Sequence, residues 1–128
     1  MNNEPGTTYR IRKTISESDV YLFGGIIGDS SSWHIDEEFV KETVFKKRLV
    51  YGMLTAGFFS TIIGRYFAGH IYLSQEVSFK KPVFIGDTIE WEAIVEKVDE
   101  KGILWLSCTA RNINKEAVLT GTARIKKL

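Results

Sequence analysis

The apolar residues of this chain change period along its length. From Tyr51 to Gly69 they recur at three and four. Leu54, Phe58 and Ile62 form one row, Phe59, Ile63 and Phe67 another, and Met53, Ala56 and Tyr66 fill other faces. A helix apolar on nearly every side is predicted to be buried. Thr55, Ser60, Thr61 and Arg65 interrupt the run, leaving it well short of the ~20 apolar residues that a membrane span needs. After this helix the period becomes two. Ile71–Phe79 reads as a strand. Ile89, Trp91, Ala93 and Val95 alternate with acidic positions in Thr88–Val98, Leu104, Leu106, Cys108 and Ala110 share one face of Ile103–Ile113, and Leu119, Ala123 and Ile125 one face of Ala117–Ile125. Such alternation predicts sheets with one face buried.

Ahead of the central helix, Thr7–Ile15 alternates as a strand. Ser16 caps a short helix carrying Val20, Leu22, Phe23, Ile26 and Ile27, and Gly28 ends it. Asp36 caps a second helix reaching Val44, with Phe39, Val40 and Val44 as its inward face. The Asp29–His34 stretch between them, with three consecutive serines, is predicted to be a loop. Lys46, Lys47 and Arg48 read as a solvated turn, with contact to a ligand phosphate as the alternative. The whole is an α+β arrangement, one domain over residues 1–128: an antiparallel sheet of about five strands wrapped around one long buried helix. The short turns imply pairing of consecutive strands. A single sheet covers that helix on one side only, so a homodimer is expected.

Composition narrows the function. The net charge of +1 speaks against a nucleic-acid partner held by phosphate contacts. The start of the chain has no apolar leader, and its single cysteine, Cys108, lies in a strand pattern. A buried core thiol, no disulfide, no membrane and a cytoplasmic location are the expectations. Two histidines and one cysteine without ligand spacing predict no metal.

The candidate chemistry lies in the serine-rich loop. Asp29 and His34 bring a carboxylate and an imidazole to one short segment, a pairing able to polarise water and move its proton. The plainer reading is a turn-closing Asp and a packed His. His70 reads as a polar residue at a strand start. Gly52 falls in the first helical turn, where free N–H groups make an oxyanion hole. Ser60 lies about two turns on, at the same row as Gly52 and Ala56.

At these residues the sequence resembles the MaoC-like (R)-specific enoyl-CoA hydratases of the hot-dog fold, from about Tyr9 to the C-terminus. The resemblance is carried by Gly28-Asp29 with His34, by Val50–Gly64, and by Ile71–Thr88 with its Pro-Val-x-x-Gly-Asp turn. It implies a single hot-dog domain and hydration of a trans-2-enoyl thioester. No cofactor is implied beyond the coenzyme A that the acyl-CoA substrate carries. It implies Asp29 and His34 as the catalytic pair, the Gly52 N–H on the thioester carbonyl, and Ser60 in support. His34 is expected to take the proton from water, with Asp29 holding that water and delivering a proton to C2. Ser31 stands where the family usually has Asn, Ser32 where it has Pro, and Tyr51 where it has His. Ser31 and Tyr51 join Gly52 and Ser60 as expected substrate-binding residues. A hot-dog thioesterase and a non-catalytic acyl-thioester-binding module are the rival readings.

Overall fold

The structure, a computed structural model, describes residues 3–128. In chain order the elements are β1 (Thr8–Thr14), α1 (Glu17–Ile27), α2 (Ser32–Ile35), α3 (Glu37–Lys41), α4 (Gly52–Tyr66), β2 (His70–Phe79), β3 (Thr88–Val98), β4 (Ile103–Arg111) and β5 (Ala117–Lys127). The five strands form one antiparallel sheet in the order β1-β3-β4-β5-β2. β3, β4 and β5 pair in succession through tight turns, as expected. The expected pairing of β2 with β3 is absent. β2 lies against β5 at one edge, and residues 80–87 carry the chain across to the other half of the sheet. Where β2 passes β5, a side chain at Gly121 would strike the Glu76 carbonyl, so only glycine lets the two backbones approach this closely.

α4 lies across the sheet. Thr55, Ala56, Phe59, Ile62 and Ile63 are its buried side. They meet Ile89, Trp91, Ala93 and Val95 of β3, Leu104, Leu106 and Ala110 of β4, and Leu119, Ala123 and Ile125 of β5 in one core. Trp91 is fully buried. Its ring stacks on Phe58 with centroids 4.2 Å apart, and its indole N–H donates to the Thr55 carbonyl at 2.8 Å. The other side of α4, with Met53, Gly57, Ser60, Thr61 and Gly64, is open in the single protomer. The long helix is thus buried on its sheet side.

Local signals account for α1. Ser16 and Asp19 form a reciprocal capping box, and Gly28 closes the helix at φ 73°. Its apolar residues are another matter. Only Val20 and Gly24 are buried, while Leu22 and Ile26 stand out at 67% and 73% exposure. The second predicted helix is also shorter than expected: α3 stops at Lys41, Val40 alone turns inward, and Val44 is exposed. The predicted serine loop contains the single turn α2. Arg48 is not part of a solvated turn. It is buried and paired with Glu17 and Glu37.

Among the described residues no helix is long and apolar enough to cross a membrane, and no three His, Cys, Asp or Glu side chains converge as metal ligands. Cys108 is buried in β4, and burial pushes its thiol up to about 11. The native protein should therefore be inert to a thiol-reactive dye at neutral pH and release one equivalent of colour on denaturation. Fast labelling of the native chain would contradict that packing. Phe59→Ala, which empties the helix–sheet junction, should cost about 3–5 kcal/mol in urea unfolding.

Candidate active site

Gly28 turns the chain out of α1, and the N–H groups of both Gly28 and Asp29 fold back onto the Gly24 carbonyl. Asp29 therefore leaves the helix in a fixed direction. Its side chain closes an Asx turn: Oδ1 accepts from the Ser31 backbone N–H at 2.9 Å. That bond, then the Ser31 hydroxyl and the nearby His34 charge, hold the Asp29 carboxyl below its ordinary value. At neutral pH the group is a carboxylate.

His34 sits on α2, the turn that replaces the expected loop. Its backbone N–H donates to the Ser31 carbonyl at 3.1 Å, so Ser31 links both candidate residues. The ring Nδ1 lies 2.7 Å from the Leu49 carbonyl. A carbonyl oxygen only accepts, so Nδ1 carries the proton and Nε2 keeps the lone pair in the neutral ring. α2 thus presents one basic nitrogen in a defined tautomer.

Tyr51 joins these pieces. Its ring stacks on His34 with centroids 3.8 Å apart, and its hydroxyl donates to the Asp29 carbonyl. The side chain is buried, with Phe23 against its ring at 5.4 Å. Burial, then the negative charge of Asp29, pushes the phenol above its ordinary value, so it remains a donor. Tyr51, expected as a substrate-binding residue, contacts both candidate catalytic residues. The fit requires Gly24: a Cβ there would fall on the Tyr51 hydroxyl and lie 2.9 Å from the Asp29 carbonyl oxygen. Sequence reasoning missed Gly24. The available signal was Gly24-Gly25 inside an otherwise apolar helix, a costly pair unless something approaches closely.

Gly52 follows as the first residue of α4, and its N–H has no acceptor among the described residues. A Cβ there would meet the Phe79 ring at 2.8 Å. Tyr51 and Gly52 stand between two cavities. One of about 360 Å³ is lined by Tyr21, Gly24, Gly28, Asp29, Ile35 and Tyr51. The other, about 320 Å³ and mainly apolar, is lined by Val50, Gly52, Thr55, Phe79, Val83 and Leu119 among others. A polar cluster thus adjoins a free helix N-terminus and apolar space.

Ser60 is not brought into this cluster. Successive fourth residues of an α-helix drift by ~40°, so the row Gly52, Ala56, Ser60 turns from the buried side of α4 to the open one. His70 stays at the start of β2, with Nδ1 3.2 Å from the Ala68 carbonyl. Ser31 acts mainly through its backbone N–H and carbonyl; its hydroxyl adds to the hold on Asp29 but makes no cap bond to α2.

Comparisons with known proteins identify the family and the fold. Residues 1–117 match the family described as MaoC like domain. An (R)-specific enoyl-CoA hydratase of Rhodospirillum rubrum is 46% identical over 86 residues, which are 66% of this chain and 60% of that protein. A 3-hydroxybutyryl-CoA dehydratase of Methylorubrum extorquens is 37% identical over 126 residues, covering 96% of this chain and 80% of the relative. Among solved structures, the (R)-hydratase from A. caviae involved in PHA biosynthesis superposes with a TM-score of 0.94 at 33% identity, covering 98% of this chain and 97% of that one. The five-stranded antiparallel sheet and its central helix are the hot-dog fold, and the chain belongs to the MaoC-like domain family.

Proposed function

We propose that this protein is an (R)-specific enoyl-CoA hydratase, reversibly adding water across the double bond of a trans-2-enoyl thioester to give the (R)-3-hydroxyacyl thioester. The activities named for its hydratase and dehydratase relatives support the reaction class. The observation that carries the reading is the bond between His34 Nδ1 and the Leu49 carbonyl, because it leaves the lone pair on Nε2 of a ring within electrostatic reach of an ionised Asp29.

The chemistry follows from those two states. Asp29, an acceptor at neutral pH, orients the water. His34 Nε2 takes a proton from it as its oxygen bonds to C3. Electron density shifts through C2 to the thioester carbonyl, which the Gly52 N–H stabilises. The His34 imidazolium then gives a proton to C2 and returns to its starting form. One water has added across one double bond, and the thioester to coenzyme A stays intact. Asp29 is an unsuitable resting proton donor, because Ser31 keeps it ionised. The delivery of a proton to C2 is therefore assigned to His34 instead. The apolar space beside Gly52 suits an acyl group and the cytoplasm suits an unpaired buried thiol.

A second copy of the chain completes the proposal. The open side of α4 and the free outer edge of β2 are both faces that a twofold-related copy can cover. Light scattering over a wide dilution series should report twice the 14.6 kDa chain mass; a monodisperse monomer would sink the dimer.

Crotonyl-CoA hydration, followed by loss of enoyl absorbance, tests the chemistry. Asp29→Asn and His34→Gln should each lower turnover by ~10²–10⁴-fold, the usual worth of a general acid or base, with circular dichroism unchanged. Near-normal turnover in a folded Asp29→Asn protein would discard the pair, and release of free thiol from the wild type would favour a thioesterase. Gly24→Ala should also cut turnover, because the new methyl displaces the Tyr51 hydroxyl and the Asp29 carbonyl. Unchanged kinetics in that variant would mean that the Tyr51 contact is dispensable.

A further inference from the structure

Arg48 is buried, with 9% of its side chain exposed, and takes no direct part in the chemistry above. All three guanidinium nitrogens are engaged by two separate helices. Nε donates to Glu37 of α3 at 2.9 Å, Nη1 to the Tyr21 hydroxyl of α1 at 2.9 Å, and Nη2 to Glu17 of α1. Asp29 follows directly from α1, and His34 lies on the turn that leads into α3. The guanidinium therefore spans the two helices that bracket the candidate catalytic pair.

The backbone beside Arg48 completes the connection. Leu49 donates its N–H to the Trp33 carbonyl at 2.9 Å, and its own carbonyl is the acceptor for His34 Nδ1. Leu49 also bridges Phe84, and Val50 donates to the Val83 carbonyl at 2.8 Å. One short segment thus holds the helices through its side chain and the His34 ring through its next carbonyl.

We infer that Arg48 is a positioning residue: by tying α1 to α3 it fixes the Leu49 carbonyl under His34 and so sets which imidazole nitrogen is basic. The catalytic consequence rests on the hydratase reading; the effect on the ring does not. A planar guanidinium reaches three partners at once, whereas a lysine ammonium satisfies one side of the span. Glu17 and Glu37 are 53% and 59% exposed. Removing Arg48 therefore returns both carboxylates to water instead of stranding them in the interior, and the sheet core is untouched.

Arg48→Met and Arg48→Lys, compared with wild type, separate positioning from simple structure. In ¹⁵N-edited NMR of the imidazoles the chain shows two histidines, with His70 as the internal control and His34→Gln giving the assignment. Arg48→Met should lose the protected Nδ1–H signal of His34 and leave His70 unchanged, with Arg48→Lys in between. In crotonyl-CoA hydration kcat should fall by ~10²-fold, the scale of a remote misplacement of about an ångström, with KM within about threefold. A raised KM at normal kcat would make Arg48 a substrate-anion contact and overturn the inference. A wild-type His34 signal and kcat in folded Arg48→Met would overturn it as well. Should Arg48→Met fail to fold, Glu37→Gln removes one arm from an exposed position, and an unchanged His34 signal there has the same meaning. If the wild type hydrates no enoyl thioester, the hydratase reading falls, while the NMR comparison still decides the role of Arg48.

Discussion

Seating α4 on the sheet is the constraint on which the rest depends. Phe59, Ile62 and Ile63 leave water together by packing into one core with the apolar face of β3, β4 and β5. Trp91 fixes the angle, since its indole needs the Thr55 carbonyl and its ring needs Phe58. Once the helix axis is set, so is its first turn. Tyr51 and Gly52 are then held at one end of the core, and the segments carrying Asp29 and His34 assemble around them. The candidate site is thus built on a rigid helix start instead of on loops alone.

Electrostatics separates the roles of neighbouring groups. The Ser31 N–H draws the Asp29 carboxyl down, and burial raises the Tyr51 phenol. Within one cluster the carboxylate is kept charged, the phenol neutral and the imidazole in one tautomer. Each state follows from a contact to the backbone or from loss of water. The larger share of the Ser31 effect comes from its main-chain N–H, which any non-proline residue at that position also supplies, and the smaller from its hydroxyl.

What was legible in the sequence was whatever neighbouring residues decide. The Ser16 capping box, the Gly28 stop and the two-residue period of β3, β4 and β5 are local matters, and each stands where it was expected. Asp29, His34 and Gly52 were nominated as candidates by residue type, spacing and family resemblance, and the fold sets the three along one connected stretch of contacts through Tyr51. The rest depended on the tertiary fold. Arg48 belongs inside because Glu17 and Glu37 arrive from elsewhere. β2 pairs with β5 because α4 delivers it to that edge. The apolar residues of α1 promised burial, yet only Val20 and Phe23 reach the core, while Leu22 and Ile26 face outward. Ser60 looked aligned with Gly52 because counting by fours hides the drift of a helical row.

The sheet order also bears on how the chain finds its shape. β3, β4 and β5 form a meander whose contacts are close in sequence, whereas β1 sets Thr8 opposite Ile94 and β2 sets Phe79 opposite Leu119. Local pairings lose little loop entropy, and distant ones wait for a surface to join. The meander is therefore the natural nucleus, with α4 condensing on it and the two outer strands closing afterwards. The Asp29–His34 segment lies between those late-arriving strands in the chain. Its order rests on contacts with Leu49 and Tyr51, outside the meander, so losing it breaks no pairing of β3, β4 and β5.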